Sequence, residues 1–401
     1  MNTLVINSGS SSIKYKLLAM DKEISMAEGV IERIGEDNGK ISHQSFPGTS
    51  RVLTKKIETS IPDHSKGMEW ILSLLTDEET GVIEDRSSIT AIGHRVVQGG
   101  ERFKAPALID QEVIDSIRAH IPLAPLHNPG ALSGIITSLE MFPEVRQVAV
   151  FDTAFHQTIP PKAYRYAVPN HLYQQLGVRR FGFHGTSHKY ITCEAAQRLG
   201  IPMEEINLIS LHLGNGSSVT AVSEGKSVDT SMGMTPLEGV IMGTRSGSID
   251  PAIIPFLVEN TEMTLEQVMA LLTKESGLKG LCGHNDLRDI HRAVEAGDEQ
   301  AELALDMLIY SCQRYVGAFF AVLGRVDCIV FTAGIGENDP VIRERICRNL
   351  EVFGIEIDPE LNKDLSHPTG IISTPSSRLK VLVISTDEEL EIARQTQVTI
   401  E

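Results

Sequence analysis

A glycine- and serine-rich turn that follows an apolar run occurs twice in this chain, at residues 4–14 (LVINSGSSSIK) and 211–220 (LHLGNGSSVT). Each copy passes from an apolar run through a small polar turn into alternating strand residues. Glycine lets backbone N–H groups approach an anion closely, and serine hydroxyls add hydrogen-bond donors. The pair therefore favours a duplicated fold whose halves both grip a polyphosphate. Two tight hairpins in a large protein are the alternative, which a single copy would favour.

Length, charge and cysteine content restrict the class of protein. A chain of 401 residues suggests two domains. With 36 basic and 53 acidic residues, the formal net charge is −17, the opposite of a nucleic-acid binder's balance. Five cysteines without a CxxC pair fit a reducing cytoplasm. Met1 stands too close to the first strand for a signal peptide, and no uncharged apolar run approaches the roughly 20 residues of a membrane span.

Short apolar strands alternate with amphipathic helices, which predicts an α/β fold. The pattern predicts a mostly buried helix over residues 302–323, a helix from Pro340 to about Leu350, a short closing helix over 388–394 and a loop over 366–377. The clearest strands are predicted at residues 4–6, 148–151, 208–213, 329–332 and 381–384.

A second glycine pair, in GIGEN at residues 334–338, directly follows the predicted strand 329–332. Such a turn either contacts a nucleotide or ends a strand for steric reasons. The glycine pair alone does not distinguish these two interpretations. Two familiar phosphate motifs are excluded. GEDNGK at residues 35–40 is one residue short of a P-loop and lacks its Ser/Thr, and no GxGxxG follows the first strand.

Two arginines stand in glycine-rich settings, Arg95 in GHRVVQGG and Arg245 in GTRSG. Small neighbours leave a guanidinium room to bind a carboxylate or phosphate, whereas a surface salt bridge is the structural alternative. The motif HGTSH spaces His184 and His188 as zinc ligands on a helix would be, but Gly185 favours a loop or a helix start. A histidine that donates to a phosphoryl group is the better interpretation, with a helix-capping cluster as the alternative.

Acidic residues follow two of the predicted strands. Asp152 comes directly after the buried strand 148–151, where α/β folds place their chemistry, although it could instead cap the next helix. Asp387 and Glu388 follow the last strand in the same way. They could reach a metal ion or form the charged N-terminus of a helix.

These segments together resemble the acetate kinase family. The resemblance implies two ribonuclease-H-like domains of the acetate and sugar kinase, heat-shock 70 and actin superfamily, over residues 1–151 with 385–401 and over 152–384, with a nucleotide in the cleft between them. The matching runs, in the family's order, are NSGSSSIK at 7–14, GHRVV at 93–97, APLHNPG at 124–130, VFDTAFHQT at 150–158, GFHGTSH at 182–188, HLGNGSS at 212–218, TPLEGVIMGTRSGSIDP at 235–251, FTAGIGEN at 331–338 and EEL at 388–390.

The resemblance also implies roles for individual residues. Arg95 would bind the acyl carboxylate, Arg245 the transferred phosphoryl group, and His184 would stabilise the transition state. Asp152 would be the essential acid, and Asn7 and Glu388 would lie at the magnesium site. ATP would be held by Lys14, His212, Leu213, Gly214, Asn215, Gly216, Gly334, Ile335, Gly336, Glu337 and Asn338, with Asp286, Leu287 and Arg288 at the adenosine end. Val97, Leu126, Phe183 and Pro236 would form the methyl pocket.

The implied reaction is the reversible, direct in-line transfer of the γ-phosphoryl group of ATP to acetate, with Mg²⁺, or Mn²⁺ as the alternative ion, by a homodimer. A propionate or butyrate kinase of the same family is the alternative enzyme. A nucleotide-switched binding protein of the actin or chaperone branch is the alternative class, which would leave the arginines and His184 without a purpose. Because acetate is already ionised at neutral pH, no general base is needed, and Asp152 is better interpreted as an orienting group.

Three positions depart from the family's pattern. Gln98 replaces a usual histidine, Ser248 a usual aspartate and Asp387 a usual asparagine. Val97 lies two residues after Arg95, so strand alternation predicts that both side chains face the same side. Arg95 would then hold the carboxylate while Val97 bounds the acyl tail.

Overall fold

The computed structural model describes residues 1–125, 127–364 and 370–401, which form an α/β protein with two sheets. Leu126 and part of the predicted loop, residues 366–369, lie outside the described residues. The strands are β1 (Asn2–Ser8), β2 (Ser12–Ala19), β3 (Ile24–Glu32), β4 (Gly39–Ser45), β5 (Leu53–Thr59), β6 (Ala91–Val96), β7 (Ala107–Leu108), β8 (Arg146–Phe151), β9 (Leu208–Leu213), β10 (Ser217–Ser223), β11 (Lys226–Thr230), β12 (Cys328–Thr332) and β13 (Lys380–Val383).

Helices occupy the connections between strands. They are α1 (His64–Leu75), α2 (Gln111–Ala119), α3 (Asn128–Met141), α4 (Pro161–Tyr164), α5 (Asn170–Leu176), α6 (Gly185–Leu199), α7 (Ile253–Asn260), α8 (Leu265–Lys274), α9 (Gly277–Cys282), α10 (Leu287–Glu295), α11 (Glu299–Leu323), α12 (Ala333–Asn338), α13 (Pro340–Cys347), α14 (Pro359–Lys363) and α15 (Glu388–Ile400). Short 3-10 turns add Arg86–Ser88, Ile121–Leu123, Phe155–Thr158 and Glu351–Phe353. Among the described residues, no helix has both the length and the apolar character needed to cross a membrane.

The chain divides into two compact units. Unit 1 comprises Met1–Phe155 together with Asp387–Glu401, and unit 2 comprises His156–Thr386. The sequence predicted domain boundaries at residues 151 and 385. That prediction assigned Asp152 to the second domain, whereas in the structure Asp152 belongs to unit 1.

Both sheets share one strand arrangement. Unit 1 has the order β5-β4-β3-β2-β1-β6-β8-β7, and unit 2 has the order β11-β10-β9-β12-β13. In each, a first strand (β1 or β9) pairs antiparallel with the next strand and parallel with a later one (β6 or β12). The unit 2 sheet therefore repeats β3-β2-β1-β6-β8 of unit 1, which confirms the duplicated α/β fold predicted from the repeated turn. Unit 1 adds β4, β5 and β7 at its edges.

The C-terminal helix completes unit 1. Ile392, Ala393 and Ile400 of α15 pack with buried residues of the sheet, including Val5 and Val148. The predicted closing helix over 388–394 is too short, because this apolar contact continues to Ile400.

Unit 2 has its core between β9, β10 and β12 and the helices around them, with α11 contributing residues such as Leu305, Leu308 and Cys312. The prediction that this helix is mostly buried is wrong for one of its faces. Tyr310 is 64% exposed and Val322 53% exposed. The helix predicted from Pro340 also ends at Cys347, short of Leu350.

Candidate active site

In unit 1, three polar side chains follow the carboxyl ends of adjacent parallel strands, where α/β folds place their chemistry. Asn7 lies near the end of β1, Arg95 near the end of β6, and Asp152 just beyond β8. Arg95 donates from Nε to Asp152 Oδ1 at 3.3 Å, from Nη2 to Asp152 Oδ2, and from Nη1 to Asn7 Oδ1 at 3.5 Å. The Asp152 carboxylate therefore fixes the orientation of the Arg95 guanidinium.

Glu388, in the first turn of α15, places a second carboxylate beside the same guanidinium, 3.6 Å from Arg95 Nε. Burial disfavours the charge on Arg95, but Asp152 and then Glu388 raise its pKa above the usual value. Burial, with Asp152 adding to it, raises the pKa of Glu388 to about 7. Two carboxylates around one guanidinium leave an excess of negative charge that favours a cation.

The donor types in this cluster fit magnesium. The amide oxygen of Asn7 and the carboxylate of Glu388 are the hard oxygen ligands that Mg²⁺ prefers. Across the described part of the chain, no group of three or more His, Cys, Asp or Glu side chains could hold a metal ion. Mg²⁺ commonly takes one or two protein oxygens and completes its shell with phosphate oxygens and water, so the small number of ligands is consistent with the ion. Asp387, the alternative acid, caps α15 by accepting from the Leu390 N–H.

Lys14 lies on β2 and lines a cavity of about 260 Å³ in unit 1, together with Lys16, Glu28 and Glu389. The Gly9 turn that precedes it packs tightly on α3. A Cβ atom on Gly130 would lie 2.4 Å from the carbonyl carbon of Gly9. Only glycine at position 130 lets the turn and the helix approach this closely.

Three of the four residues predicted for the acyl pocket, Val97, Phe183 and Pro236, are described by the structure. Val97 is 6% exposed, but β6 ends at Val96, so strand alternation does not fix the side that Val97 faces. Leu126 lies outside the described residues. In unit 2, Phe183 is buried and its carbonyl accepts from His156 Nε2 at 3.0 Å.

In unit 2, His184 immediately precedes α6 with a left-handed backbone, φ 58°. This conformation is strained for a residue with a side chain and is typical of functional positions. The imidazole stacks on that of His212, with ring centroids 4.1 Å apart. A Cβ atom on Gly216 would lie 3.4 Å from His184 Nε2 and 3.7 Å from Arg245 Nη1. The histidine and the arginine therefore face the same glycine turn.

Arg245 carries a charge with little local compensation. Its guanidinium donates from Nη1 to the carbonyl of Pro236 at 3.1 Å, and among the described residues no carboxylate pairs with it. Burial lowers the pKa of Arg245 from its usual value. A partly buried guanidinium without a carboxylate partner, beside a glycine turn, is suited to bind an anion.

Several of the unit 2 residues that the resemblance assigns to the nucleotide line one cavity of about 640 Å³. The cavity joins the glycine turn that follows β9, the start of α10 and the region of α12. Its lining consists of Gly214, Asn215, Asn285, Asp286, Leu287, Arg288, His291, Gly334, Ile335, Asn338, Asp339, Pro340 and Val341. Gly216, Gly336 and Glu337 belong to the same turns but not to the lining, and neither do His212 and Leu213, which lie on β9.

Sequence reasoning missed a buried arginine that supports this cavity. Arg343 is 1% exposed and donates from Nη1 to the carbonyls of Gly336 and Glu337, both at 2.9 Å. It also donates from Nε to Asn362 Oδ1 at 2.8 Å. Burial lowers its pKa to about 10. Arg343 therefore fixes the C-terminal part of α12, and no local motif identifies it, since its partners are backbone carbonyls and a distant asparagine.

His188 does not act as a metal ligand with His184. Its Nε2 and the Nδ1 of His184 both contact the hydroxyl of Ser218, at 2.8 and 2.9 Å. The HGTSH motif therefore starts a helix, as predicted, and the zinc alternative is not supported among the described residues. The alternation of β10, which turns Ser218 toward these rings, is the signal that could have identified the contact.

The chain is similar to known proteins over nearly all of its length. The family model described as the acetokinase family matches residues 2–394. An acetate kinase from Oleidesulfovibrio alaskensis is 54% identical over 394 residues, which cover 98% of each chain. One from Maridesulfovibrio salexigens is 54% identical over 99% of this chain and 98% of the other.

Solved structures are also similar to this chain in both sequence and fold. The crystal structure of Porphyromonas gingivalis acetate kinase aligns over all of both chains with a TM-score of 0.93 at 42% identity. That of a propionate kinase from Francisella tularensis aligns over 99% of both, with a TM-score of 0.91 at 40% identity. With its whole length matched in sequence and in fold, this chain belongs to the acetokinase family.

Proposed function

We propose that this protein is a kinase that transfers the γ-phosphoryl group of ATP to acetate, forming acetyl phosphate and ADP. The observation that carries the proposal is membership of the acetokinase family over residues 2–394. Relatives named acetate kinase are 50–54% identical to it, whereas a propionate kinase of known structure is 40% identical. Acetate is therefore the favoured substrate, and propionate or butyrate the alternative.

Charge is the main obstacle to this reaction. Acetate is ionised at neutral pH and must approach a triphosphate that carries several negative charges, so the barrier is electrostatic. In unit 1, Arg95 would bind the carboxylate of acetate, oriented by the buried carboxylate of Asp152. This arrangement supports an orienting role for Asp152, since the nucleophile needs no base.

In unit 2, the 640 Å³ cavity would take the nucleotide, with Asp286, Leu287 and Arg288 at the adenosine end and Gly334–Asn338 along the phosphates. His184 and Arg245, which face the Gly216 turn, would contact the transferred phosphoryl group. Charge that builds on the equatorial oxygens in the transition state is stabilised by such placed donors. Direct in-line transfer then needs no covalent enzyme intermediate.

Asn7 and Glu388 would hold Mg²⁺, with Mn²⁺ as the alternative ion, and the ion would neutralise phosphate charge. The excess of carboxylate around Arg95 supports this assignment. A titration of the wild-type protein and Glu388→Gln with Mg²⁺ tests it. The variant should need more Mg²⁺ for half-maximal rate, with less change in KM for acetate. An unchanged titration would reject Glu388 as a ligand.

The reaction itself is tested by trapping its product. Incubation with ATP, Mg²⁺ and hydroxylamine converts an acyl phosphate to a hydroxamate, which is measured by its colour with iron. The proposal expects hydroxamate that depends on acetate, with a higher kcat/KM for acetate than for propionate or butyrate. ATP hydrolysis without acetate-dependent hydroxamate would instead indicate a nucleotide-switched binding protein.

We further propose a homodimer in a reducing compartment, the cytoplasm. Large apolar side chains are exposed on helices of unit 2, including Phe256 at 62% and Tyr310 at 64%, and such a surface is typical of an interface. None of the five cysteines, all of which the structure describes, forms a disulfide, which suits a cytoplasm that keeps thiols reduced. Sedimentation velocity should give twice the 43.9 kDa mass of one chain, and a Tyr310→Glu variant should shift it toward the monomer.

A further inference from the structure

A chain of buried hydroxyl and imidazole groups leads to His184 from the interior of unit 2. Ser210 Oγ lies 3.0 Å from His188 Nδ1, and His188 Nε2 lies 2.8 Å from Ser218 Oγ. Ser218 Oγ in turn lies 2.9 Å from His184 Nδ1. Ser210, His188 and Ser218 are fully buried, so water does not compete for these hydrogen bonds.

The hydrogen atoms of this hydrogen-bonded series of side chains can be arranged in only two ways. Burial, together with His156 and His212 nearby, lowers the pKa of His188 well below its usual value, so its ring carries a single proton. If that proton is on Nε2, it is donated to Ser218, whose own hydrogen then goes to His184 Nδ1. If it is on Nδ1, Ser218 must donate to His188, and His184 must donate from Nδ1. The tautomers of the two histidines are therefore linked.

Ser210 selects between the two orders. When Ser210 donates to His188 Nδ1, every hydrogen in the chain has an acceptor. In the reverse order Ser210 accepts instead, and its own hydroxyl hydrogen is left without an acceptor among the described residues, in a fully buried position. A buried donor that is left unpaired is costly, so the first order is favoured.

We propose that Ser210, His188 and Ser218 are positioning residues that hold His184 with its proton on Nε2. This nitrogen faces the Gly216 turn and Arg245, so the tautomer presents an N–H donor where the phosphoryl group would lie. The opposite tautomer would present a lone pair to the phosphoryl oxygens, which repel it. The inference rests on the proposed role of His184, and it concerns a property of the resting protein that is measured without turnover.

The direct test is the protonation of the His184 ring. Protein labelled with 15N-histidine is studied by two-bond 15N–1H correlation, and the His184 signals are assigned by their loss in His184→Gln. The wild-type protein should show His184 Nδ1 unprotonated and Nε2 protonated. Ser218→Ala should give a mixture of tautomers or the reverse form. Protonated Nδ1 in the wild-type protein, or an unchanged tautomer in Ser218→Ala, would overturn the proposal.

Kinetics supply the second readout. Ser218→Ala should lower kcat by about 10- to 100-fold, the usual effect of losing a group that orients a catalytic one, with KM for ATP and acetate changed less. Thr220→Val is the matched control, since Thr220 is equally buried on the same strand and loses a hydroxyl contact, to Thr230, outside the chain of groups. An equal loss of kcat in Thr220→Val would indicate a general packing effect and contradict the proposal.

Further variants keep the test decisive if Ser218→Ala does not fold. Ser210→Ala removes the group that sets the direction and should also mix the His184 tautomers. His188→Gln, whose amide can still donate to Ser218, should retain more kcat than His188→Leu. Equal activity in these two His188 variants would overturn the positioning role. If the wild-type protein proved inactive toward acetate, the tautomer measurement would still decide the inference separately from the proposed function.

Discussion

Arg95 is held between two carboxylates of unit 1, Asp152 and Glu388, whereas Arg245 of unit 2 pairs with no carboxylate among the residues that the structure describes. The Arg95 guanidinium is therefore held in a fixed orientation, whereas the charge of Arg245 is available to bind an anion. Arg95→Ala and Arg245→Ala should each lower kcat/KM for acetate phosphorylation by about 100-fold or more, the typical loss for one placed donor. Steady-state kinetics measure the effect.

The control for both arginines is Arg118→Ala. Arg118 is exposed on α2, and within the described part of the chain its ion pair is with Asp115 across one turn, a contact worth little. Its removal should leave the rate unchanged. Near-wild-type turnover of Arg95→Ala or Arg245→Ala, in protein with normal circular dichroism, would reject the role of that arginine.

Asp152 gives a second prediction at this scale, since its carboxylate is 1% exposed and is directed at Arg95. Asp152→Asn retains the shape but loses the charge that orients the guanidinium, so most activity should be lost at every pH. The pH–rate profile from pH 6 to 9 measures this outcome. Recovery of the variant at high pH would contradict the orienting role and indicate a missing general base.

Val97 tests the acyl pocket. The side chain is buried just beyond the end of the strand that carries Arg95. Val97→Ala removes two methyl groups, and each buried methylene is worth about 0.8 kcal/mol, so kcat/KM for propionate over acetate should rise about fourfold per carbon accommodated. An unchanged or lower ratio would show that Val97 does not bound the acyl tail.

At the scale of elements, the contact of α15 with β6 places Glu388 beside Arg95. A Cβ atom on Gly93 of β6 would lie 2.4 Å from Thr396 Oγ1 and 2.8 Å from Ile392 Cγ2 of the helix. Gly93→Ala should therefore displace α15 and lower the free energy of unfolding by about 1–3 kcal/mol, the usual cost of overpacking. Urea unfolding gives the magnitude, and the Mg²⁺ requirement should rise with it.

Adding Thr396→Ala to Gly93→Ala removes the closest atom and should restore part of the stability. Gly317→Ala is the matched control, because a Cβ atom at Gly317 of α11 would meet nothing within 4 Å. A Gly93→Ala protein as stable as the wild type would show that α15 can shift at no cost.

The sequence predicted the elements that local pattern specifies. The strands at 208–213 and 329–332 and the start of α13 at Pro340 follow from apolar runs and a proline, and the structure has them. The extent of α15 was missed because residues after Arg394 are mostly polar in sequence and become helical through packing of Ile400 on the sheet. Tertiary packing of this kind leaves no periodic signal in a short segment.

The candidate site likewise contains some residues that the sequence predicts and others that it does not. Turns such as Gly214–Gly216 and charged residues after strands were predictable, since glycine and strand ends mark them. Arg343 and His188 were not, because their partners come from distant segments or from backbone carbonyls. Whether a histidine is a ligand, a cap or a relay depends on which nitrogen meets which atom, and spacing does not determine that.

At the scale of the whole molecule, burial favours the uncharged form of histidines in both units. Burial lowers the pKa of His43 and lowers that of His94 to about 4, although Gln147 hydrogen-bonds to His94. Burial also lowers the pKa of His188 in unit 2. The unfolded chain, whose histidines titrate near 6.5, takes up protons at a pH where these folded rings do not. Stability is therefore present above pH 6.5 and is lost as the pH falls toward 4.

His94 gives this effect a magnitude. Linkage between an unfolded pKa of 6.5 and a folded one of about 4 removes about 2 kcal/mol of stability between pH 7 and pH 5. The single tryptophan, Trp70 of α1, packs in the core of unit 1 and reports its unfolding by fluorescence. Urea unfolding at the two pH values should show this loss in the wild-type protein.

In His94→Gln the difference between pH 7 and pH 5 should be smaller by about that amount, even if the variant is less stable overall. His171→Gln, at an exposed position of α5, should retain the wild-type difference. Equal pH dependence in wild type and His94→Gln would mean that His94 is protonated in the folded protein, and that other buried groups set the acid limit of unit 1.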